Sequence, residues 1–196
     1  MVNKYTIKIA APDITELERD YVNQALEHNE LSYLGGFVDQ FEDSFANFCE
    51  VEFATSCMNG TVALHLALIG AGVSHGDEVI VPALTYVSTA NAVVHAGAKP
   101  IFADIDPSYW GIDPNEVLKK ITDKTKAIIA VHLYGHPADM DPLLKICEER
   151  DIVLIEDAAE AHGARYKGKR VGSIGDIGTF SFFANKTITC GEGGMV

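Results

Sequence analysis

The 196 residues are 47% hydrophobic and 22% charged, enough apolar material for one sizeable core. The formal net charge of −13 argues against an extended nucleic-acid surface, which needs Lys and Arg in excess, but leaves room for a local pocket that takes one phosphate group. No run of about 18 apolar residues occurs, so no membrane span is expected. The first twenty residues lack the apolar stretch of a secretory leader. Cys49, Cys57, Cys147 and Cys190 are scattered with no C-x-x-C pair, so reduced thiols and a cytoplasmic location are expected.

From Ile14 to about Cys49 the pattern predicts two helices. Leu17, Tyr21 and Leu26, then Val38, Phe41, Phe45 and Phe48, recur at helical spacing, and Gly35-Gly36 separates the runs. Beyond this point strands and helices alternate. Strands are expected over Glu52–Cys57, Glu78–Val81, Pro100–Asp104, Ala127–Leu133, Ile152–Ile155 and Thr179–Phe183. Helices are expected over Thr61–Ile69, Val87–His95, Asn115–Ile121 and Pro142–Glu149, with Asp139 and Asp141 as caps for the last. Such alternation predicts an α/β fold, a mostly parallel sheet with helices on both faces. The nearly continuous apolar runs VIV, IIAVHL and IVLI suit strands buried on both sides.

Ligands in such sheets bind at the C-terminal strand ends, and the residues of chemical interest follow those ends. Asn59-Gly60-Thr61 stands between a strand and a helix. Gly60 permits close backbone approach, the helix start offers free N–H groups, and Thr61 adds a hydroxyl, which together would make a phosphate cup. An ordinary turn and helix cap would have the same composition. Asp157 follows a buried strand, where an acid needs a partner. A protonated pyridine nitrogen would serve, and so would a structural hydrogen-bond donor. Lys186 lies between an aromatic, β-rich segment and a Gly-rich turn. Partial desolvation there would favour the neutral amine needed for Schiff-base chemistry, against the commoner reading of a solvated loop lysine. Ser181 is a further phosphate donor or a plain strand hydroxyl. With Tyr86 as an aromatic stacker, these parts form a complete holder for pyridoxal 5′-phosphate (PLP).

The stretches SCMNGTVAL (Ser56–Leu64), GDEVIVPALTYVSTAN (Gly76–Asn91), IEDAAEAHGA (Ile155–Ala164) and GDIGTFSFFANKTITCGEGGMV (Gly175–Val196) resemble the sugar aminotransferases of the DegT/DnrJ/EryC1/StrS family. The resemblance implies the PLP-dependent, aspartate-aminotransferase-like fold of type I. It implies Lys186 as the lysine that holds PLP, Asp157 as partner of the pyridine nitrogen, Tyr86 as the ring stacker, and Gly60, Thr61 and Ser181 as phosphate binders. Glu160 falls where the family often has Gln near the PLP 3-hydroxyl. The implied reaction moves an amino group from glutamate to a nucleotide-linked 4-keto-6-deoxy sugar. GDP-4-keto-6-deoxymannose is the first candidate, with dTDP- and UDP-linked sugars as alternatives, in a homodimer with shared sites. Family members continue into further strands and a C-terminal small domain. Residues 1–196 are therefore expected to form an incomplete PLP-binding large domain, with weak activity or none by itself.

Other functions fit less well. Related sugar dehydratases carry histidine in place of the lysine, and position 186 is Lys. A dinucleotide-binding oxidoreductase would need G-x-G-x-x-G, which NGTVAL does not supply. His132 and His136 have H-x3-H spacing but flank a strand end, so no metal site is expected. His162 is either a cofactor neighbour or a packed structural histidine.

Overall fold

The computed structural model describes residues 11–30, 32 and 35–196. Residues 1–10, half of the stretch read for a leader, lie outside the described residues, as do residues 31, 33 and 34. Helix α1 (Glu16–Glu27) starts at a capping box, in which the Thr15 hydroxyl accepts from the Leu17 N–H and Glu18 returns to the Thr15 N–H. Its apolar stripe of Leu17, Val22 and Leu26 stays exposed, while Tyr21 meets Phe37 edge-on. Helix α2 (Gly36–Cys49) buries Phe45 against Phe180 and Phe182, with ring centroids 4.8 and 5.2 Å apart.

The remaining elements follow the expected alternation: β1 (Ser56–Cys57), α3 (Gly60–Gly70), β2 (Glu78–Pro82), α4 (Ser88–His95), β3 (Lys99–Ala103), α5 (Pro114–Lys120), β4 (Thr125–Val131), α6 (Met140–Arg150), β5 (Val153–Asp157) and β8 (Ile177–Ser181). Between β5 and β8 lies a small hairpin of β6 (Arg165–Tyr166) and β7 (Lys169–Arg170), and β9 (Gly194–Met195) closes the chain. These three short strands carry no hydrophobic alternation and were not expected. The predicted strand over Glu52–Cys57 shrinks to two residues, and the one over Thr179–Phe183 starts and ends two residues earlier.

The sheet order is β1-β9-β8-β5-β4-β2-β3, parallel except for β9, which runs antiparallel to both β1 and β8. Successive side chains of a strand point to opposite faces, and here both faces are dry. Val79, Val81, Ala127, Ile129 and Ile155 pack under α3 and α4. Ile80, Ile128, Ala130 and Leu154 pack under α5 and α6. The result is a three-layer α/β structure, as the alternation predicts. Helix α6 departs from expectation in its cap: Asp139 occupies the N-cap position, but its carboxylate accepts from the Tyr166 hydroxyl at 2.6 Å and caps nothing. Asp141, also read as a cap, pairs with Lys167.

Phe45 anchors α2 to the cluster of Ala158, Ala161, Val171, Phe180 and Phe182, so Phe45→Ala should leave a large void. An expected loss of about 3–5 kcal/mol in urea unfolding checks this.

Candidate active site

The parallel strands end on one edge of the sheet, and a cavity of about 330 Å³ opens there. It gathers all seven residues singled out by sequence: Gly60, Thr61, Tyr86, Asp157, Glu160, Ser181 and Lys186. Residues separated by more than a hundred positions meet because β1, β2, β5 and β8 all finish at this edge.

Asn59 caps α3, its side chain accepting from the Val62 N–H at 3.0 Å and its carbonyl from Ala63. The N–H groups of Gly60 and Thr61 have no acceptor within the helix and stand at its positive end. Gly60 is required by packing, since a Cβ there would lie 2.7 Å from the Ser181 Cβ. The Thr61 hydroxyl is 2.8 Å from that of Ser88, which sequence reading missed. Two N–H groups and three hydroxyls thus converge on one wall, a cradle that suits a phosphate.

Asp157 forms the floor. Its carboxylate accepts from the Thr89 hydroxyl at 2.9 Å and the Ala159 N–H at 3.2 Å. Burial pushes its pKa up, against the pull of those donors and of Lys186. A cation bound in the cavity would restore the ionised form. Thr89, fully buried, is the second residue that sequence reading passed over; a hydroxyl at the start of a helix reads as an ordinary polar side chain.

The Lys186 side chain is only 14% exposed, and its Nζ lies 3.4 Å from Glu160 Oε1. The other oxygen of Glu160 accepts from the Tyr134 N–H at 3.0 Å. Tyr86 lines the rim with its ring largely in solvent. These parts fit PLP: an N–H and hydroxyl cradle for its phosphate, a buried acid short of a cation for its ring nitrogen, and a confined lysine for its aldehyde.

His162 does not reach the cavity lining. It packs against Phe180 and Phe182, and its ring nitrogens have no hydrogen-bond partner among the described residues. Burial, helped by Lys186 and little offset by the nearby Ser181 backbone, pushes its pKa down to about 4. His132 and His136 do not form a metal pair: His132 is fully buried against Glu156, and His136 turns to the Pro137 carbonyl. No cluster of three or more metal-ligating side chains occurs among the described residues. A second cavity of about 380 Å³ shares no lining residue with the first and lies beside Tyr109, His136 and Tyr166. Its cations are already engaged, Lys167 by Asp141 and Arg165 by Glu50.

A mostly parallel α/β sheet whose strand ends join a helix N-terminus, a buried acid and a confined lysine defines a protein of the aminotransferase fold. The chain belongs to the DegT/DnrJ/EryC1/StrS aminotransferase family, whose model matches residues 12–196. It is similar to the GDP-perosamine synthase of Escherichia coli O157:H7, 52% identical over 190 residues that take in 97% of this chain and 52% of that protein. Among solved structures it resembles the aminotransferase from Psychrobacter cryohalolentis, with 42% identity and a TM-score of 0.91 over 95% of this chain and 48% of that one. The E. coli GDP-4-keto-6-deoxy-D-mannose-3-dehydratase with bound hydrated PLP is also similar, at 33% identity and a TM-score of 0.88 over 95% of this chain and 49% of that one. The chain spans about half the length of the curated relatives it matches.

The His162 shift makes stability depend on pH. The unfolded chain takes up a proton on this ring below about 6.5, the folded chain only below about 4, so stability falls as pH drops through that window. Thermal midpoints between about pH 7 and pH 5 should show this decline, and His162→Phe should flatten it.

Proposed function

We propose that this chain supplies the PLP-binding large domain of an aminotransferase that moves an amino group from glutamate to a nucleotide-linked 4-keto-6-deoxy sugar. GDP-4-keto-6-deoxymannose is the favoured acceptor, which would give GDP-perosamine. One observation carries the reading: a buried carboxylate with uncharged hydrogen-bond partners, Asp157, shares a cavity with the confined Lys186 and the open N-terminus of α3. The nucleotide and sugar rest on the likeness to the E. coli GDP-perosamine synthase, since the cavity residues given roles here serve the cofactor.

Lys186 Nζ anchors PLP. With PLP bound, the Lys186 amine would move a proton away from the donor's α-carbon, as a general base within reach of the reacting atom. Asp157 would hold a proton on the pyridine nitrogen of bound PLP. When bound, PLP supplies the electron sink that stabilises negative charge at that carbon. The cradle at Gly60, Thr61, Ser88 and Ser181 would orient the phosphate, and Tyr86 would cover the ring at the rim. Glu160 lies 3.4 Å from the Lys186 amine. The second half-reaction repeats these roles in reverse, so ping-pong kinetics follow.

A homodimer completes the site in this reading. Among the cavity-lining residues Lys186 is the only Lys or Arg, set against Asp157, Glu160 and Glu192. The phosphates of the cofactor and the nucleotide therefore call for cations from a second subunit or from further chain. The cytoplasm, where the four free thiols persist, is the expected location.

Lys186→Arg should abolish covalent capture of PLP by borohydride, read by mass spectrometry of the intact chain; capture at another lysine would refute the assignment. Asp157→Ala should retain some PLP yet lose glutamate half-reaction turnover by about a hundredfold or more, as loss of a general electrostatic stabiliser implies. Comparing this chain with a version extended to the relatives' length separates cofactor binding, expected in both, from sugar amination, expected in the longer one alone.

A further inference from the structure

Tyr134 has a left-handed backbone at φ 52°, followed by Gly135 at φ 83°. A non-glycine residue persists in that region only where its surroundings over-determine it. The turn's product is functional, because it aims the Tyr134 N–H at Glu160, which in turn faces Lys186.

What holds the turn is a fully buried pair on the far side of the sheet. His132 and Glu156 are both 0% exposed, and His132 Nε2 lies 2.9 Å from Glu156 Oε2. The His132 Nδ1 accepts from the Ala138 N–H at 3.1 Å, so that nitrogen carries no proton and Nε2 is the donor. The ring therefore grips both ends of the 132–138 loop. Glu156 accepts from three more donors, the N–H groups of Gly172 at 2.8 Å, Ile174 at 2.6 Å and Gly175 at 2.7 Å. Burial alone would push this carboxyl up, but the bond from His132 and those N–H groups hold it below its ordinary value. The His132 backbone N–H also donates to the Asp157 carbonyl at 3.0 Å, tying the loop to the strand that carries the cavity floor.

We infer that the His132–Glu156 pair is a positioning unit, which fixes the 132–138 turn so that Tyr134 and Glu160 set the place of the Lys186 amine. Glu156 lies outside the cavity lining, and His132, which borders the cavity but is fully buried, acts in this scheme through the turn and not on PLP or substrate. The inference rests on the PLP reading of the cavity, and its test separates the two.

The test uses His132→Gln in the full chain. This variant keeps an amide donor for Glu156 and loses the acceptor for Ala138. Two ligands are titrated: PLP, whose aldehyde engages Lys186, and pyridoxine 5′-phosphate, which has the same ring and phosphate but no aldehyde. PLP should bind about tenfold more weakly, the scale of one lost buried hydrogen bond, while pyridoxine 5′-phosphate stays within about twofold. Equal losses for both ligands, or none for PLP, overturn the positioning role. Amide exchange without ligand gives a second reading. The Tyr134 amide should exchange about tenfold faster in the variant, with Leu154 and Ile155 unchanged; an unchanged Tyr134 rate overturns the proposal whether or not PLP binds. Wild-type chain that binds neither ligand refutes the cofactor reading and leaves the exchange result to decide this one. Should the variant not fold, the wild-type ring decides: nitrogen-15 shifts must show His132 as the Nε2–H tautomer, and an Nδ1–H tautomer sinks the idea.

Discussion

Strand β5 ends on two acids, Glu156 and Asp157, inside a sheet with dry layers on both sides. The two-residue period of a strand sends them to opposite faces, so neither can share the other's partners. A buried carboxylate without compensation is strongly unfavourable, and the two faces meet that demand differently. Toward α6, Glu156 collects four donors from His132 and the 172–175 segment and becomes a closed structural node. Toward α3 and α4, Asp157 receives a hydroxyl and one N–H, and burial still favours its proton. One face is finished by the protein; the other is left dependent on what enters the cavity. The rest of the site is arranged around this asymmetry.

The alternation that reveals the fold also contained the clue to Glu156. Asp157 was legible because an acid after a hydrophobic strand demands a partner. The same demand applied one residue earlier, and strand parity would have placed that partner on the opposite face. Its donors were not legible, because three of them are backbone N–H groups of a loop with no sequence signature. Lys186, Glu160 and the α3 start were found through motif and resemblance, whereas Thr89 and Ser88 look like common helix-start hydroxyls until the fold brings them to the cavity. Leu17 and Leu26 show the converse: their spacing correctly gives a helix, but periodicity alone does not say what covers the stripe.

Strand β9 escaped sequence reading because two residues of Gly and Met have no pattern, yet it joins β1 to β8 beside the start of α3. It lies antiparallel between β1 and β8, pairing Gly194 with both Cys57 and Ser181. This brings the start of α3 beside Ser181 close enough to exclude a side chain at Gly60. Gly194 is itself hemmed in, since a Cβ there would lie 2.4 Å from the Asn59 carbonyl oxygen. Two glycines 134 positions apart in sequence (194 − 60 = 134) thus serve one geometric purpose, the close approach of three strand ends to a helix N-terminus.

That cradle also resolves an apparent conflict in charge. A chain with a net charge of −13 is a poor general host for anions, and a carboxylate-rich cavity is worse. Backbone N–H groups escape the difficulty because their dipoles act over the last few ångströms, whereas exposed surface charges are screened beyond about 8 Å at physiological salt. A ligand that carries a phosphate at one end and a protonatable nitrogen at the other meets the N–H cradle and Asp157 at once. An anion without the nitrogen would bring Asp157 no such partner. In the proposed reading, the acidic cavity would favour phosphate compounds that bring their own positive charge to the end of β5.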